Sequence, residues 1–316
     1  MTDNTNKTFF KNNEIIDIIR KFEEEHKIII FYAVESGSRM WGFESDDSDY
    51  DIRVVFAYPS NIYLGIKPYK ETIEYMLRDP ETDKPILDIV GWEFKFFVRH
   101  MIKSNPSVYE WFMSPIRYID ETGKYIKGGK ILNKSDSDLL HMLKIKQLTG
   151  VYPEYYHPDD SSTGIQEFYD TFMENVDKNS LACHYRGIIF KNYNKYVKDK
   201  SEVSCKKYIY ILRAIASYYA LTIYCELPEM DYRKVLKYLP TSSLRQKMTE
   251  LVARKQKSES TLTNSDTEIN NICIQVMETV STRNEIKLTS FSDEIINKLN
   301  FLVIAKLDNY YETPTF

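Results

Sequence analysis

Apolar residues first recur at helical spacing. Ile15, Ile16, Ile19 and Phe22, with Glu23, Glu24 and Glu25 at the polar end, predict an amphipathic helix over about 13–26. The next apolar run, Ile28 to Val34, is rich in β-branched residues and too short for a typical helix. It closes on Ser36, Gly37 and Ser38, which predicts a buried strand ending in a small-residue turn. After a polar, acidic loop, a second strand is expected from Tyr50 to Tyr58, stopped by Pro59-Ser60-Asn61, and a third from Pro85 to Glu93. From Glu93 the period lengthens: Phe94, Phe97 and Met101 recur every three to four residues, and Asn105-Pro106 breaks that helix and starts another.

From about Lys134 to the end only helical periods are read, over 136–148, 165–174, 181–197, 206–224, 231–238, 243–255, 267–280 and 291–305. The stretch 151–164, with Pro153 and Pro158, reads as a loop, and 255–266 as a polar break. The expected fold class is therefore α/β plus all-α: a mixed sheet with flanking helices over residues 1–125, then a helical domain over 126–316. A chain of 316 residues is long enough for two such units.

Composition narrows the setting. No apolar stretch approaches the ~20 residues that cross a bilayer. The polar start lacks the basic-then-apolar layout of a secretory signal, so a cytoplasmic protein with no membrane partner is expected. Cys183, Cys205, Cys225 and Cys273 form no CxxC pair, which argues against structural zinc or a disulfide framework and predicts buried thiols. A net charge of −4 gives no general attraction for nucleic acid, so a polynucleotide would need a local basic surface. One candidate exists. Between His184 and Arg213 there are eight Lys or Arg residues against two acids. His184, Lys191, Lys195 and Lys198 share one helix face, and Lys206, Tyr210 and Arg213 share a face of the next. This surface is expected to meet triphosphate or RNA, with Tyr193, Tyr196, Tyr208 or Tyr210 to stack on a base, unless it is simply a solvated face. Tyr218, Tyr219 and Tyr224 are expected in the core.

The chemistry concentrates in VESGSRMWGFESDDSDYDIRVV, Val34 to Val55. On an extended strand residues i and i+2 face the same side, so Asp49 and Asp51 present two carboxylates together. Like charges this close call for a cation, and hard oxygen donors suit magnesium shared with phosphate oxygens. Gly37 and Ser38 are placed to offer backbone N–H groups and a hydroxyl to a phosphate, with Arg39 beside them. Asp88, on the third strand, is the candidate third carboxylate, with Glu93 as its alternative. Three carboxylates holding two metal ions would activate a hydroxyl and stabilise a leaving pyrophosphate.

This order of GS, DxD on a strand and a later lone acid resembles the nucleotidyltransferases of the DNA polymerase β superfamily. The segments GSRMWGFESDDSDYDIRVVF, WEFKFFVRHMIKSNPSVYEWF and KKYIYILRAIASYYA are similar to the predicted nucleotidyltransferases associated with bacterial RNA repair and also found in phages. The likeness covers about 28–112 and, more loosely, 206–220. It implies a polymerase-β-like catalytic domain and a nucleoside triphosphate substrate such as ATP. Asp49 and Asp51 would hold magnesium, Ser38 would contact the β or γ phosphate, and Asp88 would help to deprotonate the acceptor. Gly37, Ser38, Arg39, Lys191, Lys207 and Tyr210 are the expected nucleotide contacts. An RNA 3′ end is the favoured acceptor; a protein hydroxyl and a catalytically silent, antitoxin-like binding module are the alternatives.

Overall fold

The computed structural model describes residues 10, 12–120, 165–257, 262–278 and 291–311. The first helix, α1 (Asn12–His26), buries Ile15, Ile16, Ile19 and Phe22 as their spacing requires. Strand β1 (Ile29–Glu35) follows, then the one-turn helix α2 (Gly37–Met40) and β2 (Tyr50–Ala57). A short helix α3 (Ser60–Leu64) leads to β3 (Thr72–Arg78) and β4 (Pro85–Glu93). Helices α4 (Phe94–Ile102) and α5 (Pro106–Phe112) and strand β5 (Arg117–Ile119) complete this part.

The strands form one mixed sheet in the order β3-β4-β2-β1-β5. Only β2 and β4 are parallel among these neighbours; the other pairs run antiparallel. Strand alternation gives the sheet two apolar faces. Ile52, Val54, Phe56, Leu87 and Ile89 pack with α1, while Phe31, Val34 and Val55 pack with α4, α5 and the helices that follow. Asp51 and Arg53 alternate with Ile52 and Val54, which puts them on the face opposite α1.

The later helices are α6 (Gln166–Asn175), α7 (Lys178–Tyr196), α8 (Cys205–Thr222), α9 (Tyr232–Val235) with a 3-10 turn at Leu236–Tyr238, α10 (Ser242–Gln256), α11 (Thr267–Glu278) and α12 (Asp293–Tyr311). Helix α8 is central, with Tyr208, Ile209, Ile211, Leu212, Ile215 and Ala216 buried. Its core is continuous with that on the outer face of the sheet. Among the described residues no helix is long and apolar enough to cross a membrane.

Several expectations are corrected. The C-terminal part is not helical throughout: β6 (Glu202–Ser204) and β7 (Leu262–Asn264) pair antiparallel, each too short to show a period of two. Edge strand β3 was not anticipated, although Ile73 is buried and its neighbours Thr72 and Glu74 are exposed in alternation. Tyr193 and Tyr208 are buried and unavailable for stacking, and Arg213 belongs to the core instead of a solvated basic face. Tyr224 is exposed, and the four free cysteines include an exposed one, Cys225. The expected helix over 136–148 and loop over 151–164 lie outside the described residues.

Glu93 is fully buried at the β4–α4 junction, where it caps α4 by accepting from Phe96 N at 3.0 Å and accepts from the Tyr63 hydroxyl at 2.6 Å. Glu93→Ala removes both bonds. Urea denaturation is expected to show a loss of about 2 kcal/mol; an unchanged midpoint would deny Glu93 its capping role.

Candidate active site

Parallel pairing of β2 and β4 sets Asp51 directly opposite Asp88. Both carboxylates are about one-fifth exposed and share a counter-charge: Arg53 donates from Nη2 to Asp51 Oδ1 at 3.0 Å and from Nη1 to Asp88 Oδ2 at 3.3 Å. Arg53 also donates to the Ile52 carbonyl, which fixes the guanidinium between the two acids. Burial raises the Asp51 pKa and the Asp88 carboxyl raises it further; Arg53 and Lys206 act in the opposite direction.

The turn after β1 is shaped around Asp51. Gly37 has a φ of +62°, and a Cβ there would lie 1.9 Å from Asp51 Oδ2, so the carboxylate occupies space that any other residue would fill. Ser36 N donates to the Asp51 carbonyl at 2.7 Å. On the other side Glu35, wholly buried, accepts from Asp51 N at 2.8 Å and from the Tyr118 hydroxyl at 2.5 Å. Burial drives the Glu35 pKa up to about 7 against the opposing pull of these bonds.

Asp49 stands one residue before β2, half-buried. Arg39 was expected to face phosphate. Its Nη2 donates instead to Ser48 O at 2.8 Å and its Nε to Asp49 O at 3.3 Å, with the guanidinium 3.8 Å over the Tyr50 ring. It steadies the acid loop by its backbone. Ser38 is buried in α2, beside Gly37. The helical half reaches this loop through Lys255, whose ammonium donates to Phe43 O, Ser45 Oγ and Ser48 Oγ at 3.0–3.2 Å. Burial lowers the Lys255 pKa, Lys206 lowers it further, and the acids of the loop, Asp49 among them, oppose this.

Of the helical residues expected at the nucleotide, Tyr210 is brought to the acids. Burial raises its phenol pKa, and the charges of Asp51 and Asp49 raise it further. Lys207 sits 4.1 Å over Tyr196 and 5.9 Å from the Tyr210 ring centre, at the edge of this surface. Lys191 is exposed on α7, and no contact among the described residues joins it to the acids. Glu93, the alternative third acid, pairs with Phe56 at the far end of β2, away from Asp51. Arg53 was missed although its i+2 spacing from Asp51 puts it on the same strand face; Glu35 and Lys255 carry no such local signal.

The donor set suits a hard divalent cation, since Asp51 and Asp88 are paired carboxylates whose repulsion such an ion would relieve. Among the described residues no three His, Cys, Asp or Glu side chains are gathered closely enough to hold a metal by themselves. Magnesium characteristically takes one or two carboxylates and completes its shell with phosphate oxygens and water.

A sequence model of the family described as RNA repair pathway DNA polymerase beta family matches residues 12–141 and 153–303. A Bacillus subtilis (strain 168) relative, described as uncharacterized protein YcgL, is 29% identical over 246 residues, covering 78% of this chain and 76% of that protein.

The raised Glu35 pKa makes stability depend on pH. The folded chain holds this proton up to about pH 7 and the unfolded chain only to about 4.5, so stability falls as pH rises through that window. In Glu35→Gln the amide oxygen still accepts from Asp51 N and its nitrogen donates to Tyr118. Between pH 5 and 8, without metal, wild type is expected to lose up to about 3 kcal/mol more than this variant. Parallel urea titrations of the two proteins test it; equal pH dependence would sink the assignment.

Proposed function

The chain belongs to the RNA repair pathway DNA polymerase beta family and is a nucleotidyltransferase, and from that premise we propose that it moves a nucleoside monophosphate from a nucleoside triphosphate to the 3′ hydroxyl of an RNA, with Asp49, Asp51 and Asp88 as its catalytic acids. The observation that carries this reading is the β2–β4 register that sets Asp51 against Asp88. In the reaction the acceptor oxygen bonds to the α-phosphorus, the bond from that phosphorus to the bridging oxygen breaks, and pyrophosphate leaves with the electron pair. Asp88 takes the acceptor proton.

Enzymes of this superfamily generally use divalent metal. Here Asp49, Asp51 and Asp88 would hold two magnesium ions, which supply charge neutralisation on the triphosphate and make the acceptor hydroxyl more acidic. The chain's own contribution is chiefly positioning and charge. Gly37 keeps the Asp51 carboxylate close under the turn, and Ser38 and the backbone of α2 are available to the β or γ phosphate. Lys206 and Lys207, at the start of α8, face the negative substrate from the helical side. For an RNA acceptor the support is the exposed surface of Lys195, Lys198 and Lys200, beside Tyr196 with Lys195 and Lys207 over its ring.

Pyrophosphate release from each of the four ribonucleoside triphosphates, with magnesium and a pool of small RNAs, tests the proposal. Release and RNA lengthening are expected in wild type, with a loss on the order of 10²-fold or more in Asp51→Asn and in Asp88→Asn, both folded by circular dichroism. Label on polypeptide instead of RNA would move the acceptor to a protein hydroxyl. Triphosphate binding without release would leave a silent binding module.

A further inference from the structure

Across the sheet the acids stand in a row whose two ends differ. Met76 on β3 is paired with Asp88, and Asp88 with Asp51, so the three side chains lie on one face, the face opposite α1. Beyond Asp51 the row ends in the turn after β1: Ser36 N donates to the Asp51 carbonyl, and a Cβ on Gly37 would lie 1.9 Å from Asp51 Oδ2. Beyond Asp88 it ends at the edge of the sheet. β3 is the edge strand, and among the described residues no strand pairs with its outer side. Met76 is 48% exposed there. Ile86, two residues before Asp88, is half-buried and, by alternation with the core residue Leu87, on the same face.

We infer that the acceptor enters over β3 and that the sugar of its terminal nucleotide packs on Met76, with Ile86 beside it. The inference rests on the nucleotidyltransferase reading above, with an RNA 3′ end as acceptor. In-line displacement fixes the side. The attacking and leaving oxygens stand on opposite sides of the α-phosphorus, so a pyrophosphate held at α2 puts the attacking hydroxyl at the β3 end of the row. The α2 end is also the one the helical half closes, where Lys255 bonds Phe43 O, Ser45 Oγ and Ser48 Oγ. Distance fixes the residue. A hydroxyl that passes its proton to Asp88 sits within about 3 Å of that carboxylate, and cross-strand partners have Cβ atoms about 5 Å apart. The ribose that carries the hydroxyl is then within reach of the Met76 side chain, a flexible thioether that moulds to an irregular apolar surface. Glu74, exposed on the same face opposite Val90, sets negative charge one row away and disfavours backbone phosphate there, which leaves the contact with β3 to the sugar.

The test is the initial rate of RNA lengthening against RNA concentration, with saturating triphosphate and magnesium, for full-length wild type, Met76→Ala, Met76→Leu and Thr72→Ala, alongside the triphosphate Kd of each. Met76→Ala is expected to raise the RNA KM about fivefold at unchanged triphosphate Kd, and Met76→Leu, which restores the apolar bulk, to stay within about twofold of wild type. Thr72 is exposed on the same face of β3 but opposite Trp92, outside the row, so Thr72→Ala should keep the wild-type KM. A wild-type KM in Met76→Ala overturns the inference and leaves the transferase intact, as does a rise shared by Thr72→Ala or by the triphosphate Kd. A second readout needs no turnover: dilute hydrogen peroxide converts the exposed Met76 to its sulfoxide, and the small RNAs should slow that step about threefold by mass spectrometry. If wild type lengthens no RNA, the transferase reading falls and this footprint decides: slowed oxidation keeps the docking surface without the chemistry, and unslowed oxidation removes it too.

Discussion

Two carboxylates facing each other across parallel strands govern this architecture. At about 4 Å and an effective dielectric near 20, two like charges repel by about 4 kcal/mol, so the β2–β4 register is tolerable only with positive charge at hand. Arg53 meets that need from two residues along the same strand, bonded to both acids. The surrounding choices follow from this arrangement. Gly37 leaves room for the Asp51 carboxylate, and Glu35, buried against Tyr118, holds the Asp51 backbone. Arg39 and Lys255 hold the loop that delivers Asp49. A strand slipped by one residue would turn Asp51 and Arg53 into the α1 core and expose Ile52 and Val54, so the apolar alternation that builds the sheet also aims the acids.

Much of this was legible because it obeys a period. Short β-branched apolar runs bounded by turn residues marked β1, β2 and β4, and the i+2 rule paired Asp49 with Asp51, although β2 begins only at Tyr50. The pairing of β2 with β4 was not legible, since register between strands separated by a third, β3, is a matter of topology and leaves no local mark. Lys255 is separated by more than two hundred residues from the Phe43 carbonyl it holds. Arg213 illustrates a different failure. Its helical spacing from Lys206 and Tyr210 suggested a shared exposed face, yet it is buried, because Glu110, far away on α5, neutralises it. Periodicity reports which residues share a face; what lies opposite that face is decided by residues elsewhere in the chain.

The Glu110–Arg213 pair also shows why polar burial here is informative. Desolvating two charges commonly costs as much as their attraction returns, so a buried pair is a weak source of stability. Apolar side chains would pack as well with no dry, unpartnered guanidinium nitrogens. The pair's distinct contribution is position: Arg213 reaches from α8 over the Trp41 ring and so ties the helical half to the turn after α2.

The helical half is accordingly more than a cover. The outer face of the sheet and the later helices share one continuous apolar core. Polar ties cross between them: Tyr232 N donates to Trp41 O at 2.9 Å, and the Tyr109 hydroxyl donates to Pro228 O at 2.6 Å. Parts joined by a small polar interface are expected to hinge; parts joined by a large apolar one are not. With Trp41 held by Arg213 and Tyr232, and the acid loop held by Lys255, the cleft is set by the same contacts that fold the chain. The register that sets Asp51 against Asp88 is therefore held both by the sheet and by the apolar core that the sheet shares with the helical half.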